Sequence, residues 1–260
     1  MNLVEAFILG LIQGLTEFLP VSSSGHLVIF QDLLGLSEPG VTLEVILHFA
    51  TALSVICVFN REFLNLFHFR KDKEQRTVLL MLILGIIPTA VLGLLGSAFS
   101  DLLFKSSLLV GFMLLITGLI LKLLTIIPAG EKTFTEMKTG DALVVGFLQG
   151  LAVIPGISRS GSTIAGSLWR GLNRETAVKY SFMLSVPVIF GATLTEIKTI
   201  ASISLQNAIV YNYLIGGMAA FLAGIVAIKI FIRLLINRKF HYFAYYCWIL
   251  GLIIIIYSFL

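Results

Sequence analysis

Two polar turns interrupt an otherwise apolar sequence, and these turns decide the fold. The first stretch reads GLIQGLTEFLPVSSSGH over residues 10–26, and the second reads GFLQGLAVIPGISRSGST over residues 146–163. Gln-Gly and Ser-x-Ser-Gly recur at an offset of 136 residues, with a Pro between them in each copy. Apolar helices that resembled each other by chance would not repeat these landmarks in order. The chain therefore contains an internal repeat.

The composition places the chain in a membrane. Of its 260 residues, 58% are hydrophobic and 12% are charged, whereas a soluble domain is about 45–50% apolar and about 25% charged. A spanning helix needs roughly 20 apolar residues, so the chain has room for about ten short helices in a single membrane domain, 1–260. The net charge of +4 is interpreted as membrane orientation, with no nucleic-acid partner.

The apolar runs predict an all-α polytopic membrane protein with six spanning helices and two re-entrant helical hairpins. The hairpins cover residues 2–36 and 141–172, and each turns at one of the two polar stretches. Non-helical backbone at membrane depth is tolerated only where protein or a water-filled cavity covers it. The predicted spanning segments are residues 41–60, 77–98, 105–127, 176–197, 209–233 and 242–260.

The two copies are predicted to insert with opposite orientations. Three spanning helices, an odd number, follow each hairpin, so the first repeat, 1–127, and the second, 128–260, form an inverted-topology repeat. Inverted repeats with broken helices are the usual architecture of secondary transporters. Each hairpin also begins with a Gly-x-x-x-Gly pair, which permits close helix packing.

Lysine and arginine placement supports this topology. Two basic residues, Lys105 and Lys198, fall on the side of the N-terminus. By the positive-inside rule the other side is the cytoplasm, so both termini are predicted to lie outside. The twelve basic residues on that cytoplasmic side are Arg61, Arg70, Lys71, Lys73, Arg76, Lys132, Lys138, Arg170, Arg174, Arg233, Arg238 and Lys239.

Three more lysines, Lys122, Lys179 and Lys229, lie near cytoplasmic helix ends, where a long side chain can reach the interface. The remaining one of the 18 basic residues, Arg159, has no role in orientation, because it lies in the second turn. An Arg at membrane depth costs at least about 2.5 kcal/mol on insertion scales. Its planar fork suits phosphate oxygens, and the alternative is a structural ion pair with Glu17. In both turns a serine is placed to cap the following helix, whose free N–H groups and positive dipole end make a site for an anion.

Glu17 and His26 flank the first turn and are candidate catalytic groups. Gln13 and Glu17 are four residues apart and so share one helix face. Glu17 is predicted to bind a divalent cation or act as a base, and the alternative is a neutral, hydrogen-bonded acid. His26 is predicted to attack phosphorus or shuttle protons. Ser23 is either a helix cap or a nucleophile.

Two other features receive ordinary structural interpretations. Glu44 and His48 are also four residues apart, and the expectation for them is a solvated position near the outer surface. Cys57 and Cys247 lie in apolar runs, and they are expected to be packed or lipid-facing thiols rather than a disulfide or metal site.

With these motifs the chain resembles the undecaprenyl-diphosphate phosphatase family, the integral membrane enzymes linked to bacitracin resistance. The resemblance covers essentially the whole chain and rests on QGLTEFLPVSSSGH at residues 13–26 and PGISRSGST at residues 155–163. The family's first motif is Glu or Gln, then three residues, then Glu. Its first position is Gln13 here, which cannot ionise, so Glu17 must carry the acidic role alone.

The resemblance implies hydrolysis of undecaprenyl diphosphate to undecaprenyl phosphate and phosphate, which recycles the lipid carrier for cell-wall synthesis and removes bacitracin's target. It implies a divalent cation, Mg²⁺ or Ca²⁺, and a bacterial plasma-membrane location with an outward-facing site. The nucleophile is left open between His26, Ser23 and water, and the oligomeric state is not predicted. The alternative function is transport of a prenyl phosphate or another anion. The residues expected to hold the phosphate are Arg159, Ser22, Ser24, Ser158, Ser160, Thr163 and Gln13.

Overall fold

The computed structural model describes residues 1–36, 41–97, 103, 106–128, 130–197, 208–236 and 240–259. The regular structure of this part of the chain is α-helical, apart from one isolated bridge between Lys132 and Leu172 and a short 3-10 helix at Phe134–Glu136. Its helices are α1 (Leu3–Phe18), α2 (Ser23–Leu33), α3 (Val41–Val58), α4 (Asn60–Leu66), α5 (Lys73–Ser97), α6 (Ser107–Leu123), α7 (Thr139–Leu151), α8 (Arg159–Trp169), α9 (Arg174–Thr195), α10 (Ala208–Ile236) and α11 (His241–Tyr257).

The predicted all-α class is confirmed, and each of the six predicted spanning segments overlaps at least one of these helices. The sequence pattern missed α4, which is bent by 82° from α3 at a one-residue break. Cys57 and Cys247 are both free thiols, the first exposed and the second buried. Four of the basic residues used for orientation, Lys105, Lys198, Arg238 and Lys239, lie outside the described residues.

Within the described part of the chain, three helices are long and apolar enough to cross a membrane: Lys73–Gly96, Arg174–Thr195 and Val210–Leu235. The bent pair α3 and α4 makes a fourth if it is counted as one span, and α6 and α11 are apolar helices of 17 residues. Helix α5 exposes large apolar side chains at spacings of three and four residues, which forms a continuous stripe. Such a stripe suits contact with lipid tails. Its residues are Leu80, Ile83, Ile87, Val91 and Leu94.

Small residues let the first helix of each polar turn pack directly on a long helix. A Cβ placed on Gly10 of α1 would collide with the backbone of Gly216 in α10. In the same way, a Cβ on Gly146 of α7 would collide with the backbone of Gly85 in α5. Because the backbones approach so closely, α1 is held against α10 and α7 against α5. The positions of the C-terminal ends of α1 and α7, where the two turns begin, are therefore fixed.

Candidate functional site

The two polar turns touch each other directly. The Ser22 Oγ accepts a hydrogen bond from the Gly156 N–H at 3.0 Å, and the Ser160 hydroxyl donates to the Leu19 carbonyl at 3.2 Å. The backbone turns sharply at both positions, since φ is 67° at Ser22 and 97° at Gly156. These contacts join residues more than 130 positions apart in the sequence, so the fold brings the two turns together.

Serine caps the helix that leaves each turn, as the sequence predicts. The Ser22 Oγ accepts from the Gly25 N–H at 3.3 Å at the start of α2, and the Ser158 Oγ accepts from the Gly161 N–H at 3.1 Å at the start of α8. The two helices therefore begin side by side, with their positive dipole ends in the same region. Free N–H groups at helix starts favour an anion.

Glu17, at the end of α1, is the centre of the polar network. Its Oε2 accepts from the Ser23 hydroxyl at 2.5 Å and from the Gln13 Nε2 at 3.0 Å. The Gln13 bond confirms that the two residues share one helix face. The Glu17 side chain is only 5% exposed, and its other oxygen, Oε1, lies 2.5 Å from the Arg159 Nη2. One carboxylate thus joins a hydroxyl from the first turn to a guanidinium from the second.

Arg159 uses only part of its hydrogen-bonding capacity on Glu17. The ion pair that the sequence left open is present through Nη2, while the Nη1 atom is buried and has no hydrogen-bond partner among the described residues. Arg159 also lines a cavity beside the network. Because a guanidinium presents its donors in a rigid fork, it can keep the Glu17 contact and still bind an anion oxygen through Nη1.

The cavity has a volume of about 330 Å³. That is the lower end of the range of about 300–1,000 Å³ for small-molecule sites, so it fits a head group rather than a long lipid tail. Its polar lining residues are Glu17, Ser22, Ser23, Ser24, Glu44, His48, Thr89, Gln149, Ser158, Arg159, Ser185 and Thr193. The rest of the wall is apolar and consists of Val45, Ala152, Val153, Ile157, Val188, Ile189 and Ala192.

Some of the residues expected to hold phosphate are on this wall and others are not. Ser22, Ser24 and Ser158 line the cavity together with Ser23. Ser160 instead bonds to the backbone of the other turn. The Thr163 hydroxyl donates to the Arg159 carbonyl and lies 2.5 Å from the Ser181 hydroxyl. Thr163 therefore supports the start of α8, and Gln13 likewise reaches the cavity only through Glu17.

His26 lies in the first turn of α2 but points away from the cavity wall. Its Nδ1 is 2.7 Å from the Ser22 carbonyl oxygen, and its Nε2 is 2.7 Å from the Tyr246 hydroxyl of α11. The imidazole and the Tyr246 ring are stacked with their centroids 5.7 Å apart. Both ring nitrogens are thus engaged within the protein, and this arrangement supports the shape of the first turn.

Glu44 and His48 of α3 line the cavity, although the sequence favoured a solvated position for them. The His48 Nδ1 is 2.8 Å from the Glu44 carbonyl oxygen, and its Nε2 lies 3.6 Å from the Glu17 Oε2. The Gln31 amide donates to the Glu44 carboxylate at 3.0 Å. The four-residue spacing indicated that Glu44 and His48 share one face of α3. It did not show that this face is turned toward the two polar turns.

Metal-binding geometry is only partly built into the described residues. They contain no group of three or more His, Cys, Asp and Glu side chains suited to hold a metal ion. Two carboxylates, those of Glu17 and Glu44, nevertheless line one cavity. Mg²⁺ is typically bound through one or two carboxylates plus substrate phosphates. Two carboxylates on one wall are thus the protein ligands that such a cation would need.

A second ionic cluster ties the two ends of the second hairpin together, away from the cavity. The buried Asp141 carboxylate accepts from the Arg170 Nε at 2.7 Å, lies 3.4 Å from the Lys132 Nζ, and accepts from the Lys138 N–H at 2.9 Å. Burial alone raises the pKa of Asp141, but these hydrogen bonds and positive charges outweigh it and hold the pKa below its ordinary value. The cluster secures α7 to α8.

Known proteins match this chain over nearly its whole length. Residues 6–253 match the family described as "Bacitracin resistance protein BacA". A protein of Halothermothrix orenii named "Undecaprenyl-diphosphatase" is 48% identical over 256 residues, which is 98% of each chain. Proteins of the same name from Alkaliphilus metalliredigens and Carboxydothermus hydrogenoformans are 40% and 42% identical, over 100% and 98% of this chain and 100% and 97% of their own lengths.

Proposed function

This chain belongs to the bacitracin resistance protein BacA family, and we propose on that premise that it is a membrane-embedded undecaprenyl-diphosphatase. The enzyme hydrolyses undecaprenyl diphosphate to undecaprenyl phosphate and inorganic phosphate. This reaction returns the lipid carrier to the form used in peptidoglycan synthesis. It also removes the diphosphate that bacitracin targets, in line with the family's description.

One observation carries the proposal: Glu17 joins the Ser23 hydroxyl to the Arg159 guanidinium at the wall of one cavity. The reaction transfers a phosphoryl group, so catalysis rests on positioning and on stabilising negative charge. The free Nη1 of Arg159 and the N-terminal ends of α2 and α8 supply positive potential for the terminal phosphate. The Ser23–Glu17 pair supplies an activated hydroxyl.

We propose Ser23 as the nucleophile, because its hydroxyl already donates to Glu17 and faces the cavity, whereas the ring nitrogens of His26 are engaged elsewhere. The Ser23 Oγ bonds to the terminal phosphorus, the bond from that phosphorus to the bridging oxygen breaks, and the hydroxyl proton passes to Glu17. Undecaprenyl phosphate leaves with the bridging oxygen.

Water completes the reaction. The water oxygen bonds to the phosphorus of phosphorylated Ser23, and the bond from phosphorus to the Ser23 Oγ breaks. Glu17 returns its proton to the Ser23 Oγ. One water proton stays on the released hydrogen phosphate, and the other leaves to solvent. Arg159 holds the phosphoryl oxygens through both steps, and removing a comparable charge-stabilising donor costs about 10²–10³-fold in rate.

A divalent cation, Mg²⁺ or Ca²⁺, completes the proposed site. Glu17 and Glu44 would hold it together with the substrate's phosphate oxygens, and a bound cation supplies charge neutralisation to the diphosphate. The experiment is removal of metal from purified enzyme with a chelator. Activity is expected to disappear and to return on addition of either cation. A Glu44→Gln variant is expected to need a higher metal concentration for half activity.

The proposed topology is an inverted repeat of residues 1–127 and 128–260, with six spans and two re-entrant hairpins. Helix pairing supports it, because α1 packs on α10 and α7 packs on α5. The first helix of each hairpin thus packs on the second predicted spanning helix of the other copy. In this topology both termini lie outside, the cavity opens outward, and the prenyl tail lies in the bilayer beside the apolar part of the cavity wall.

The deciding experiment measures phosphate release from a prenyl diphosphate by the purified, metal-supplied protein in detergent. The wild-type protein is expected to release phosphate, and Ser23→Ala and Arg159→Ala are each expected to lower the rate at least about 100-fold. Glu62→Gln, which affects an ion pair with Lys179 outside the cavity, serves as the control. Absence of phosphate release, together with counterflow of a prenyl phosphate in vesicles, would favour the transporter alternative.

A further inference from the structure

Gln149 of α7 lies on the cavity wall, although the sequence assigned it only as a landmark of the repeat. Its side chain is buried, with 2% of the residue exposed, and it lines the same cavity as Ser23 and Arg159. A buried amide carries two donors and an acceptor that need partners. The partners available to Gln149 therefore show what it is placed to bind.

Thr89 of α5 fixes the orientation of this amide. The single hydroxyl proton of Thr89 is committed to backbone carbonyls, with the oxygens of Gly146 at 2.8 Å and Gly85 at 3.0 Å. The Thr89 oxygen can therefore only accept a further hydrogen bond, and it does so from the Gln149 Nε2 at 3.3 Å. An amide that donates to Thr89 through nitrogen must direct its oxygen elsewhere.

That oxygen, the Gln149 Oε1, is buried and has no hydrogen-bond partner within the described part of the chain. An anionic phosphate oxygen cannot satisfy it, because both atoms are acceptors. The ligand atom that fits it is a donor, and the hydrolytic water is a donor that the proposed reaction requires. Arg159 lines the same cavity, and its Nη1 is a buried donor that likewise has no partner among the described residues.

Comparison of the two repeats shows why Gln149 differs from its counterpart. Gln13 and Gln149 occupy the same place in the repeat, and four residues later stand Glu17 and Val153 respectively. Gln13 donates to Glu17 and supports the nucleophile's base. Gln149 has no carboxylate at that spacing and is anchored to Thr89 instead. The Oε1 of each amide is unpaired among the described residues, but of the two only Gln149 lines the cavity.

We infer that Gln149 is a catalytic residue of the second half-reaction, in which its Oε1 accepts a hydrogen bond from the water that attacks phosphorylated Ser23. Gln149 orients this water in line with the phosphorus and takes no proton itself, and Thr89 is the positioning residue that aims the amide. This inference rests on the proposed function and specifies how its second step is organised.

The test compares Gln149→Leu with wild type, using farnesyl diphosphate in detergent with Mg²⁺ and following prenyl phosphate and inorganic phosphate in a rapid-quench experiment. The expected result is a burst of prenyl phosphate equal to the enzyme concentration. A steady rate about 10- to 100-fold below wild type should follow, as for a misplaced reactant. Thr89→Val is expected to show the same burst with a smaller loss. Thr77→Val is the control and should match wild type, because Thr77 lies on the same helix α5 outside the cavity and its hydroxyl bonds within that helix.

The outcomes separate the two proposals. A wild-type enzyme that releases no phosphate defeats the proposed function. An active wild type together with a Gln149→Leu steady rate within threefold of it defeats the inference alone, and so does a reduced rate without a burst. Gln149→Met is a second apolar variant in case the leucine variant does not fold, and its expected results are the same.

Discussion

Replacing Glu17 with glutamine separates its role as a base from its role in holding the fold. The carboxylate accepts from Arg159 through one oxygen and from Ser23 and Gln13 through the other. A glutamine amide has one oxygen, which can accept either from Arg159 or from Ser23 and Gln13. If that oxygen stays with Arg159, the new NH₂ group faces Ser23, whose hydroxyl can rotate to accept, and Gln13, whose unpaired Oε1 can accept after an amide flip.

The structure therefore predicts a folded but inactive Glu17→Gln variant. The neutral amide loses a charge-assisted bond to Arg159, worth about 1.5–3 kcal/mol, which is less than the roughly 3–5 kcal/mol for removing one partner of a buried pair outright. Activity falls further, because Ser23 has no base. Loss of general-base catalysis costs about 10²–10⁴-fold, or about 2.7–5.5 kcal/mol in the activation barrier.

Two measurements on one purified preparation check this prediction: phosphate release from a prenyl diphosphate and the thermal unfolding midpoint. We expect kcat to fall at least about 100-fold while the midpoint falls less than in Glu17→Ala. The matched control is Glu62→Gln, which removes a partner of Lys179 outside the cavity. A Glu17→Gln enzyme with wild-type kcat would refute the role of Glu17 as the base.

Three further outcomes are expected. His26→Asn and Tyr246→Phe should lower the thermal midpoint and reduce phosphate release less than Ser23→Ala does, whereas a loss equal to that of Ser23→Ala would place His26 in the chemistry. The stabilising effect of Asp141, whose pKa is lowered, is complete above its ordinary value of 3.8 and is lost as the pH falls below it. Unfolding midpoints measured from pH 7 to 3 should therefore fall less in Asp141→Asn than in wild type. Gly146→Leu should prevent folding by forcing α7 away from α5, which size-exclusion chromatography of the detergent extract would detect as aggregation.

Local sequence signals predicted much of the fold. Apolar runs gave the helices, because a chain in lipid must satisfy its backbone within each segment. A serine cap was predicted in each turn because few residue types can cap a helix start, but the sequence did not single out Ser22 and Ser158 among the neighbouring serines. The four-residue spacing of Gln13 and Glu17 gave their contact. Each of these signals depends on residues close together in the sequence.

The remaining part of the site depends on how helices rotate and cross, which local patterns do not encode. His26 follows three serines and reads as a member of the site, but the approach of Tyr246 from α11 holds it away from the cavity. Glu44 and His48 read as surface residues, although the packing of α3 turns them inward. Gln149 carried a signal in its repeat relation to Gln13, but its anchor on Thr89 comes from α5.

The contact between Glu17, Ser23 and Arg159 has a consequence for the proposed repeat. Ser23 and Arg159 stand at the same position of the two repeated stretches, 136 residues apart, and Glu17 corresponds to Val153. Two identical halves would carry either two hydroxyls or two guanidiniums at the shared position, and either two carboxylates or none at the other. The site described here therefore depends on the sequence differences between the two stretches.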